Sequence, residues 1–392
     1  MSYRDHFSRF LHAVPGRLHV AAHSHHPWPD VTFEAQQAAW LDAARLMDDK
    51  WDTVFGEVLP EAAGHVAGRL GLSDSGAIAF APNAHELVMR LLSCLPVHSG
   101  PVRVLTTDAE FHSFARQARR LEEDGLARVE RVPAEPFATF AGRFADAAGR
   151  GGHDLVYFSQ VHFNSGFVHP DLEVAVAAVP APETLVVIDG YHGFMALPTD
   201  LGAVEGRAFY VAGGYKYAMA GEGACFAHCP SGYGPRPRDT GWFAGFADLA
   251  GPAASSGGRV SYPAGGARFL GGTLDPTGLY RFNAGQRWLD GLGLSVVDIH
   301  AHVAGLQRRF LAAAGVGQAE KAELIPPAGT GERGHFLTFR LPEAGAVYQA
   351  LHHDGVIADY RDDRLRFGFG IYHDDADIDD LARRLAGVPG WG

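Results

Sequence analysis

The sequence has few cysteines and no long hydrophobic run, and both absences limit what the protein can be. Among its 392 residues are three cysteines, Cys94, Cys225 and Cys229. A small, odd number in a long chain argues against a disulfide framework and is typical of a reducing compartment. No stretch approaches the roughly 18 apolar residues that a membrane-spanning helix requires. The segment Met1–Leu11 is polar and lacks a secretion pattern, so we expect a cytoplasmic protein.

Positive charge is also in the minority. The chain carries 33 Lys and Arg against 45 Asp and Glu, a formal net charge of −12. Nucleic-acid binding needs clustered basic residues that neutralise phosphates, so no such partner is expected. The composition, 47% hydrophobic and 20% charged, is otherwise ordinary for a soluble globular enzyme.

Short apolar runs alternate with longer amphipathic segments along much of the chain. The apolar runs predict buried strands at Ala77–Ala81, Val102–Thr106, Leu155–Ser159, Leu185–Ile188 and Ala208–Ala212. The segments between them predict helices at Glu86–Leu95, Phe114–Glu123, Phe137–Ala148 and Leu172–Val179. This alternation predicts an α/β fold, in which a large, mostly parallel sheet has helices on both faces. Ligands of such sheets bind beyond the carboxyl ends of the strands.

The pattern changes after about Pro235. A region rich in Gly and Pro, Gly251–Gly272, predicts a loop, and helical segments follow at Thr277–Leu292 and Ser295–Ala314. The chain then ends in a strand, a helix and a strand, predicted at His335–Leu341, Ala344–Asp354 and Arg364–Gly370. We therefore expect a large domain over residues 51–285 and a smaller C-terminal α+β domain over residues 286–392. Residues 1–50 are expected to contribute to the small domain and to the active site.

Two charged side chains stand at the ends of predicted strands. Asp189 follows Leu185–Ile188 directly, and Lys216 lies in Val211–Tyr217, which reads Val-Ala-Gly-Gly-Tyr-Lys-Tyr. Taken singly, the aspartate is explained as a strand terminus or helix cap and the lysine as solvated surface. Together they supply what pyridoxal 5′-phosphate (PLP) requires, an amine for a Schiff base and an anion against the pyridine nitrogen. His192 is either a contact of the cofactor ring, supporting its phenolic oxygen, or an ordinary loop histidine.

Longer stretches around these residues resemble one enzyme family. Val186-Val-Ile-Asp-Gly-Tyr-His192, followed by Gly213-Gly-Tyr-Lys-Tyr-Ala-Met-Ala-Gly-Glu-Gly223, resembles the aminotransferase class V group of PLP enzymes and, within it, the kynureninases. Segments that agree in the same order are Gln160–Gly166, Gly241–Phe243, Arg268–Thr273, Asp359–Arg361 and Leu365–Gly368. The resemblance covers nearly the whole chain. It implies fold type I, the aspartate aminotransferase-like fold, and hydrolysis of the Cβ–Cγ bond of L-kynurenine or a 3-hydroxykynurenine-like amino acid to anthranilate, or its analogue, and L-alanine.

The resemblance also implies roles for single residues around the cofactor. Asp189 would hold the pyridine nitrogen, and Lys216 would form the Schiff base and carry protons. Tyr215 would donate a proton late in the reaction. The residues implied to hold the phosphate are Ala84, His85, Tyr215, Trp242 and Thr273. Ala84 and His85 would act through backbone amides at a helix start, and Thr273 would come from a neighbouring subunit, which implies a homodimer.

The implied substrate contacts come from both ends of the chain. Arg366 matches an arginine that holds the substrate α-carboxylate, which an arginine can do with two hydrogen bonds. Arg361 competes for this role, unless it forms a surface salt bridge to Asp359 or Asp363. The resemblance brings His23 and Ser24 near the substrate. Phe111 matches the aromatic that stacks on the cofactor ring and is otherwise an ordinary core residue.

The chain departs from the kynureninase pattern in three places. Asn83-Ala84-His85 stands where the family has an Asp-Ser-Thr-like phosphate turn, and His112 follows Phe111 where the family usually has Pro. Asn164 stands where the family has Arg. The cofactor chemistry is unaffected, but the identity of the substrate is left open.

No metal site is expected, although possible ligands gather twice. The histidines of the N-terminal loop have no cysteine or suitably spaced carboxylate beside them to complete a metal site. The cysteines and histidine that follow Lys216 lack a second pair of metal ligands. These residues are His19, His23, His25 and His26, and Cys225, His228 and Cys229. The acidic run His373–Asp380 is expected at a helix N-terminus, where carboxylates meet the positive end of the helix dipole.

Other functions remain open. A class V aminotransferase, or another PLP lyase, would use the same Asp189 and Lys216. A desulfurase would also need a cysteine on a mobile loop over the substrate, and the three cysteines lie elsewhere. A non-catalytic descendant would keep the fold for binding or regulation, against which the intact Asp189–Lys216 pair argues.

Overall fold

A computed structural model of the chain describes residues 2–96, 100–250, 259–314 and 322–391. Its strands are β1 (Leu18–His19), β2 (Ile78–Ala81), β3 (Val102–Thr107), β4 (Ala127–Val132), β5 (Leu155–Ser159), β6 (Leu185–Asp189), β7 (Ala208–Gly213), β8 (Cys225–His228), β9 (Glu323–Ile325), β10 (Phe336–Arg340), β11 (Val356–Ile357), β12 (Asp359–Arg361) and β13 (Arg364–Gly368). Its helices are α1 (Ser8–Leu11), α2 (Val31–Leu46), α3 (Lys50–Thr53), α4 (Leu59–Leu70), α5 (Ala84–Ser93), α6 (His112–Glu123), α7 (Phe137–Gly149), α8 (Leu172–Ala177), α9 (Thr277–Gly291), α10 (Val296–Ala313), α11 (Ala344–His353) and α12 (Asp375–Ala386).

A seven-stranded sheet carries the cavity described below. Its strand order is β2-β8-β7-β6-β5-β3-β4. Strands β3 to β7 run parallel, and β8 is antiparallel to both β7 and β2. Alternate residues along the central strands enter two different hydrophobic cores, because successive side chains of a strand point to opposite faces. In β5, Val156 and Phe158 pack in the core with α4, α7 and α9, whereas Leu155 and Tyr157 pack in the core with α5 and α6. The predicted α/β fold, with a mostly parallel sheet and helices on both faces, is confirmed.

The register of the central strands brings their carboxyl ends together. Ser159, the last residue of β5, lies opposite Asp189, the last residue of β6. Asp189 in turn lies opposite Val211 near the end of β7. Polar side chains at and just after these ends therefore share one edge of the sheet.

A four-stranded antiparallel sheet, in the order β12-β13-β10-β9, forms near the C-terminus. A third hydrophobic core joins this sheet to α10, α11 and α12 and includes Phe310, Phe339, Phe367 and Leu381. Leu18 belongs to the same core, and β1 pairs with β11. The part of the N-terminal segment around β1 thus packs with the C-terminal elements, whereas Phe7 and Ala22 belong to a core of the large sheet. The expected bounds at residues 50 and 285 stay predictions. No helix of the described residues is long and apolar enough to cross a membrane.

Differences from the predicted elements have local causes. Helix α5 begins at Ala84, two residues before the predicted start, because the side chain of Asn83 caps it by accepting the amide of Glu86 at 3.0 Å. Strand β4 was not predicted because its charged residues interrupt the apolar pattern of an edge strand. Strand β8, which carries Cys225 and His228, was also missed. Residues 251–258 of the predicted loop lie outside the described residues, and Gly265–Phe269 forms a short 3-10 helix. The acidic run does begin a helix, α12, as expected.

Candidate active site

A cavity of about 280 Å³ lies at the carboxyl ends of β5, β6 and β7. The starts of α5 and α6, the strand ends and the loops that follow them form its wall. Seven of the residues singled out from the sequence line it: Ala84, His85, Phe111, Asp189, His192, Tyr215 and Lys216. The structure therefore brings together seven of the nine predicted cofactor residues, from four separate stretches of the chain.

Neutral donors hold the carboxylate of Asp189. The hydroxyl of Tyr157 donates to Oδ2 at 2.8 Å, and the backbone N–H of Tyr191 donates to Oδ1 at 3.0 Å. Burial raises the pKa of Asp189, while these two hydrogen bonds and the nearby positive charge of Lys216 act to lower it. The carboxylate is thus oriented by neutral groups and lines the cavity, where a protonated ring nitrogen would give it a charged partner.

Lys216 is 5% exposed, and its Nζ lies 2.7 Å from Nε2 of His192. Burial lowers the pKa of Lys216 to about 7, against the smaller opposing effect of Asp189. A substantial share of the amine is therefore neutral near pH 7, the form that attacks a carbonyl. Glycine at position 213, three residues before this lysine, lets the end of β7 pass close to Tyr191 and Cys225. A Cβ there would lie 2.3 Å from Oη of Tyr191 and 2.5 Å from Sγ of Cys225.

Two helix N-termini meet at the cavity wall. Ala84 and His85 open α5, and Ser113 is the second residue of α6. The positive ends of two helix dipoles favour an anion such as a phosphate group. Ser113 was missed by the sequence analysis, because the start of α6 was predicted at Phe114, two residues after its start at His112.

Phe111 is not a core residue, because 39% of it is exposed. Its ring centroid lies 5.4 Å from Nζ of Lys216 and 5.6 Å from the ring of Phe163, which it meets edge-on. An exposed aromatic beside the lysine is placed to contact a planar ring in the cavity.

Arg366 lies outside the cavity lining and has partners of its own. Its guanidinium forms a buried ion pair with Asp359 and also donates to the carbonyl of Phe163. His23 Nε2 lies 3.5 Å from the same aspartate, and its ring stacks on Phe336. Although burial raises the pKa of Asp359, the contact with His23 and the charge of Arg366 hold it below its ordinary value.

Arg361 forms the surface salt bridge that was expected if it does not bind the substrate carboxylate. Its side chain is 51% exposed and lies 2.8 Å from Oδ1 of Asp359. Of the two arginines, Arg366 is the buried one, and its guanidinium lies over the ring of the cavity residue Phe163 at 5.8 Å.

Three other predicted residues, Trp242, Thr273 and Ser24, do not line the cavity. The indole of Trp242 donates to the hydroxyl of Thr273 at 3.1 Å, and both residues are exposed. Ser24 is half-buried, and its backbone amide donates to the carbonyl of Ala21. Tyr215 lines the cavity, and its ring packs against those of Tyr191 and His25. Within the described ranges, no three His, Cys, Asp or Glu residues are grouped to hold a metal ion.

Tyr157, Ser159 and Glu110 are further functional candidates that the sequence analysis missed. Tyr157 and Ser159 lie two residues apart on β5, line the cavity, and thus point to the same face of the sheet. Only the register with β6 reveals that they adjoin Asp189. The signal available in the sequence was two polar residues at alternate positions of a strand predicted to be buried.

The cavity residues fit PLP. Asp189 is held in place by neutral donors and lines the cavity, where a ring cation could pair with it, and a pKa of about 7 leaves the Lys216 amine partly neutral at neutral pH. Of the two ring nitrogens of His192, Nδ1 has no hydrogen-bond partner among the described residues. The two helix N-termini suit the phosphate.

Comparisons with known proteins show which family the chain resembles. Residues 299–385 match the family model for the kynureninase C-terminal domain. The kynureninase of Pseudomonas fluorescens is 29% identical over 230 residues, and that of Deinococcus radiodurans is 29% identical over 275 residues. The chain is therefore kynureninase-like, in that it resembles kynureninases over part of its length.

This kynureninase-like protein matches only part of these relatives. The aligned regions cover 55% and 67% of the chain, and the chain spans 51% and 62% of the lengths of the two kynureninases.

Solved structures resemble nearly the whole chain. The cystine C–S lyase C-DES, in complex with its reaction product cysteine persulfide, has a TM-score of 0.81 at 16% identity and covers 95% of this chain and 98% of its own. A lysine-to-alanine mutant of C-DES, with glycine covalently linked to its PLP cofactor, has a TM-score of 0.83 at 17% identity, covering 99% and 100%. The cysteine desulfurase of Thermococcus onnurineus NA1 has a TM-score of 0.80 at 15% identity, covering 98% and 97%. The kynureninase-like protein therefore has fold type I of the PLP-dependent enzymes, as expected, and at these identities the likeness extends to the fold alone.

Proposed function

We propose that this kynureninase-like protein is a PLP-dependent hydrolase that cleaves the Cβ–Cγ bond of L-kynurenine, or of a 3-hydroxykynurenine-like amino acid. The products are anthranilate, or its analogue, and L-alanine. The observation that carries the proposal is the buried Lys216 amine at the same cavity as Asp189, in a chain that resembles kynureninases. The cofactor is PLP, which when bound acts as an electron sink for the substrate's α-carbon.

Residues of three strand ends and two helix starts would hold the cofactor. Asp189 would accept the proton of the pyridine nitrogen, oriented by Tyr157 and the amide of Tyr191. The starts of α5 and α6 would bind the phosphate, and Phe111 would lie against the ring. Lys216 would supply the amine that attaches the cofactor.

Proton transfer would centre on Lys216. Its Nζ is 2.7 Å from Nε2 of His192, and burial keeps the pKa of both groups low. A neutral amine can take the proton from the substrate α-carbon, and its pKa of about 7 matches a base and acid at neutral pH.

Tyr215 would donate a proton late in the reaction. Burial raises its pKa to about 12, so its phenol keeps the proton at neutral pH. Its ring centroid lies 5.7 Å from Nζ of Lys216, on the wall of the same cavity.

Arg366 would hold the substrate α-carboxylate, and His23 and Ser24 of the N-terminal loop would lie near the substrate. Because Asp359 already pairs with Arg366, the substrate carboxylate must share the guanidinium with it. A guanidinium has five N–H donors, and Nε of Arg366 has no hydrogen-bond partner in the part of the chain that the structure describes.

The second candidate is a class V aminotransferase or another PLP lyase, because either would use the same Asp189 and Lys216. A cystine C–S lyase and a cysteine desulfurase are among the structural neighbours. Desulfuration through a cysteine of this chain is disfavoured. Burial raises the pKa of Cys94 and Cys225 to about 11 and that of Cys229 to about 12, so the reactive thiolate is scarce at neutral pH.

The proposal is tested by adding L-kynurenine to the PLP-loaded protein with and without a keto acid. Anthranilate and alanine without keto acid support the hydrolase. Kynurenic acid formed only with keto acid identifies an aminotransferase instead. Sulfide or persulfide released from cystine, with kynurenine untouched, identifies a C–S lyase.

We further propose a cytoplasmic homodimer in which Thr273, paired with Trp242 on the exposed surface, approaches the phosphate of the neighbouring subunit. Light scattering on the wild-type protein tests the dimer. Mixing two inactive variants, Lys216→Ala and Thr273→Ala, tests the shared site. Recovered activity supports it, and no recovery from two dimeric variants argues against it.

A further inference from the structure

A second carboxyl group is buried behind the cavity. Glu110 lies between β3 and α6, directly before Phe111, and is 4% exposed. The hydroxyl of Thr107 lies 2.6 Å from Oε1, and the hydroxyl of Ser159 lies 2.6 Å from Oε2. The backbone N–H of Ser159 donates to Oε1 at 3.2 Å. Every one of these partners is neutral.

Strand β5 connects this carboxyl group to Asp189. Ser159 contacts Glu110 and lies opposite Asp189 in the sheet. Tyr157, two residues earlier on the same face, donates to Asp189. The titratable groups that face Glu110 are Asp189 from β6 and Tyr157 from β5, and Thr107 of β3 and Ser159 of β5 add neutral hydroxyls.

Two nearby carboxyl groups in a buried setting do not both ionise at neutral pH, because each negative charge opposes the other. Asp189 lies near the cationic Lys216 and would also pair with the protonated ring nitrogen of bound PLP. Glu110, in contrast, contacts only neutral groups and is close to the charge of Asp189. At neutral pH, Glu110 is therefore the member of the pair that keeps its proton.

We propose that Glu110 is a positioning residue that stays protonated at neutral pH, leaves Asp189 as the single negative charge of the pair, and frees the Ser159 hydroxyl to donate into the cavity. The proton on Glu110 lies between Oε2 and Oγ of Ser159, so the hydroxyl hydrogen of Ser159 points elsewhere. When Glu110 ionises, the hydroxyl of Ser159 donates its hydrogen bond to the carboxylate and no longer donates into the cavity. The proposal rests on the proposed function in so far as the cavity holds PLP.

The electrostatics agree with this geometry. Burial raises the pKa of Glu110 to about 8, the hydrogen bonds from Ser159 and Thr107 oppose the rise, and Asp189 adds to it. The group is therefore protonated below about pH 8 and ionises above it.

The test follows the buried carboxyl by infrared spectroscopy of the full chain, with PLP removed. We expect a protonated-carboxyl band that disappears as the pH rises through about 8 and is missing from Glu110→Gln. In Asp189→Asn the proton affinity of Glu110 should fall about tenfold, because the neighbouring charge is gone. Glu123→Gln, an exposed change at the end of α6, the helix that follows Glu110, should leave the band unaltered.

A milder variant covers the case in which Glu110→Gln does not fold. Thr107→Val keeps the shape of the side chain but removes one donor to the carboxylate, so the band should persist to higher pH. A carboxyl that is ionised at pH 7 in the wild-type protein overturns the proposal, as does a midpoint that Asp189→Asn leaves unchanged.

Added PLP separates this inference from the proposed function. If the ring nitrogen pairs with Asp189, PLP should shift the Glu110 midpoint to lower pH, in the same direction as Asp189→Asn. A band that titrates as expected in a protein that binds no PLP would support the proton assignment and reject the proposed function.

Discussion

Removing the hydroxyl of Tyr157 should weaken PLP binding without disturbing the fold. In Tyr157→Phe, Asp189 loses one of its two donors, the one at 2.8 Å. The ring itself is retained, including its stacking on Phe114, with centroids 3.7 Å apart. The change therefore isolates one hydrogen bond to the carboxylate that is proposed to hold the pyridine nitrogen.

The size of the effect follows from the charge on the acceptor. A hydrogen bond to a charged group contributes about 1.5–3 kcal/mol, which corresponds to an increase of about 10- to 150-fold in the dissociation constant of PLP. Losing a donor that favours the ionised form also raises the pKa of Asp189. More of the variant's Asp189 is then protonated as the pH falls, so the loss of affinity should be greater at about pH 6 than at about pH 8.

The assay is a PLP titration of the apoprotein followed by absorbance, with Tyr210→Phe as the matched control. Tyr210 is a buried tyrosine of the neighbouring strand β7, and its hydroxyl donates to Gln160 at 2.8 Å rather than to Asp189. Both variants lose one buried hydroxyl and should lose similar stability. Equal weakening in the two variants, or none in Tyr157→Phe, would refute the reasoning.

Three further results are expected. Lys216→Ala should leave PLP removable by dialysis, whereas the wild-type protein should keep its covalently attached cofactor and its absorbance band. Attachment of PLP to the apoprotein should accelerate as the pH rises toward the Lys216 pKa of about 7 and then level off, since only the neutral amine reacts; a rate that falls over this range would contradict the assignment. Arg366→Lys should raise KM at least about tenfold by removing a two-pronged carboxylate contact, while the exposed Arg361→Lys should change KM less than about twofold; the reverse order in steady-state kinetics would make Arg361 the anchor.

The part of the site that lies at strand ends could be predicted from the sequence. Asp189 and Lys216 each follow a buried apolar run, and parallel strands place their carboxyl ends at one edge of the sheet. Asn83 likewise marks the start of α5, although the predicted helix began at Glu86. Local patterns were enough here because each feature depends on neighbouring residues.

The partners of Asp189 could not be predicted, because they depend on strand register. Tyr157 is 32 residues from Asp189 in sequence, and Ser159 is 49 residues from Glu110. A shift of one residue between β5 and β6 would turn the hydroxyl of Tyr157 away from the carboxylate. Strand β8 was missed for a related reason, since its buried residues Cys225 and His228 lack the pattern of an apolar strand.

We expect the specificity for the substrate to reside in the half of the proposed site that lies outside the large sheet. The proposed cofactor half would use residues 84 to 216 of the large sheet and its helices, a framework whose fold is shared with C–S lyases and desulfurases at 15–17% identity. Arg366, Asp359 and His23 instead come from the C-terminal sheet and the N-terminal loop, and they pack together because β13 pairs with β12 and His23 stacks on Phe336 of β10. The match to the kynureninase C-terminal domain covers Arg366 and Asp359. Exchanging residues of this second half should therefore change which amino acid is accepted, while exchanging Asp189 or Lys216 should remove activity toward every substrate.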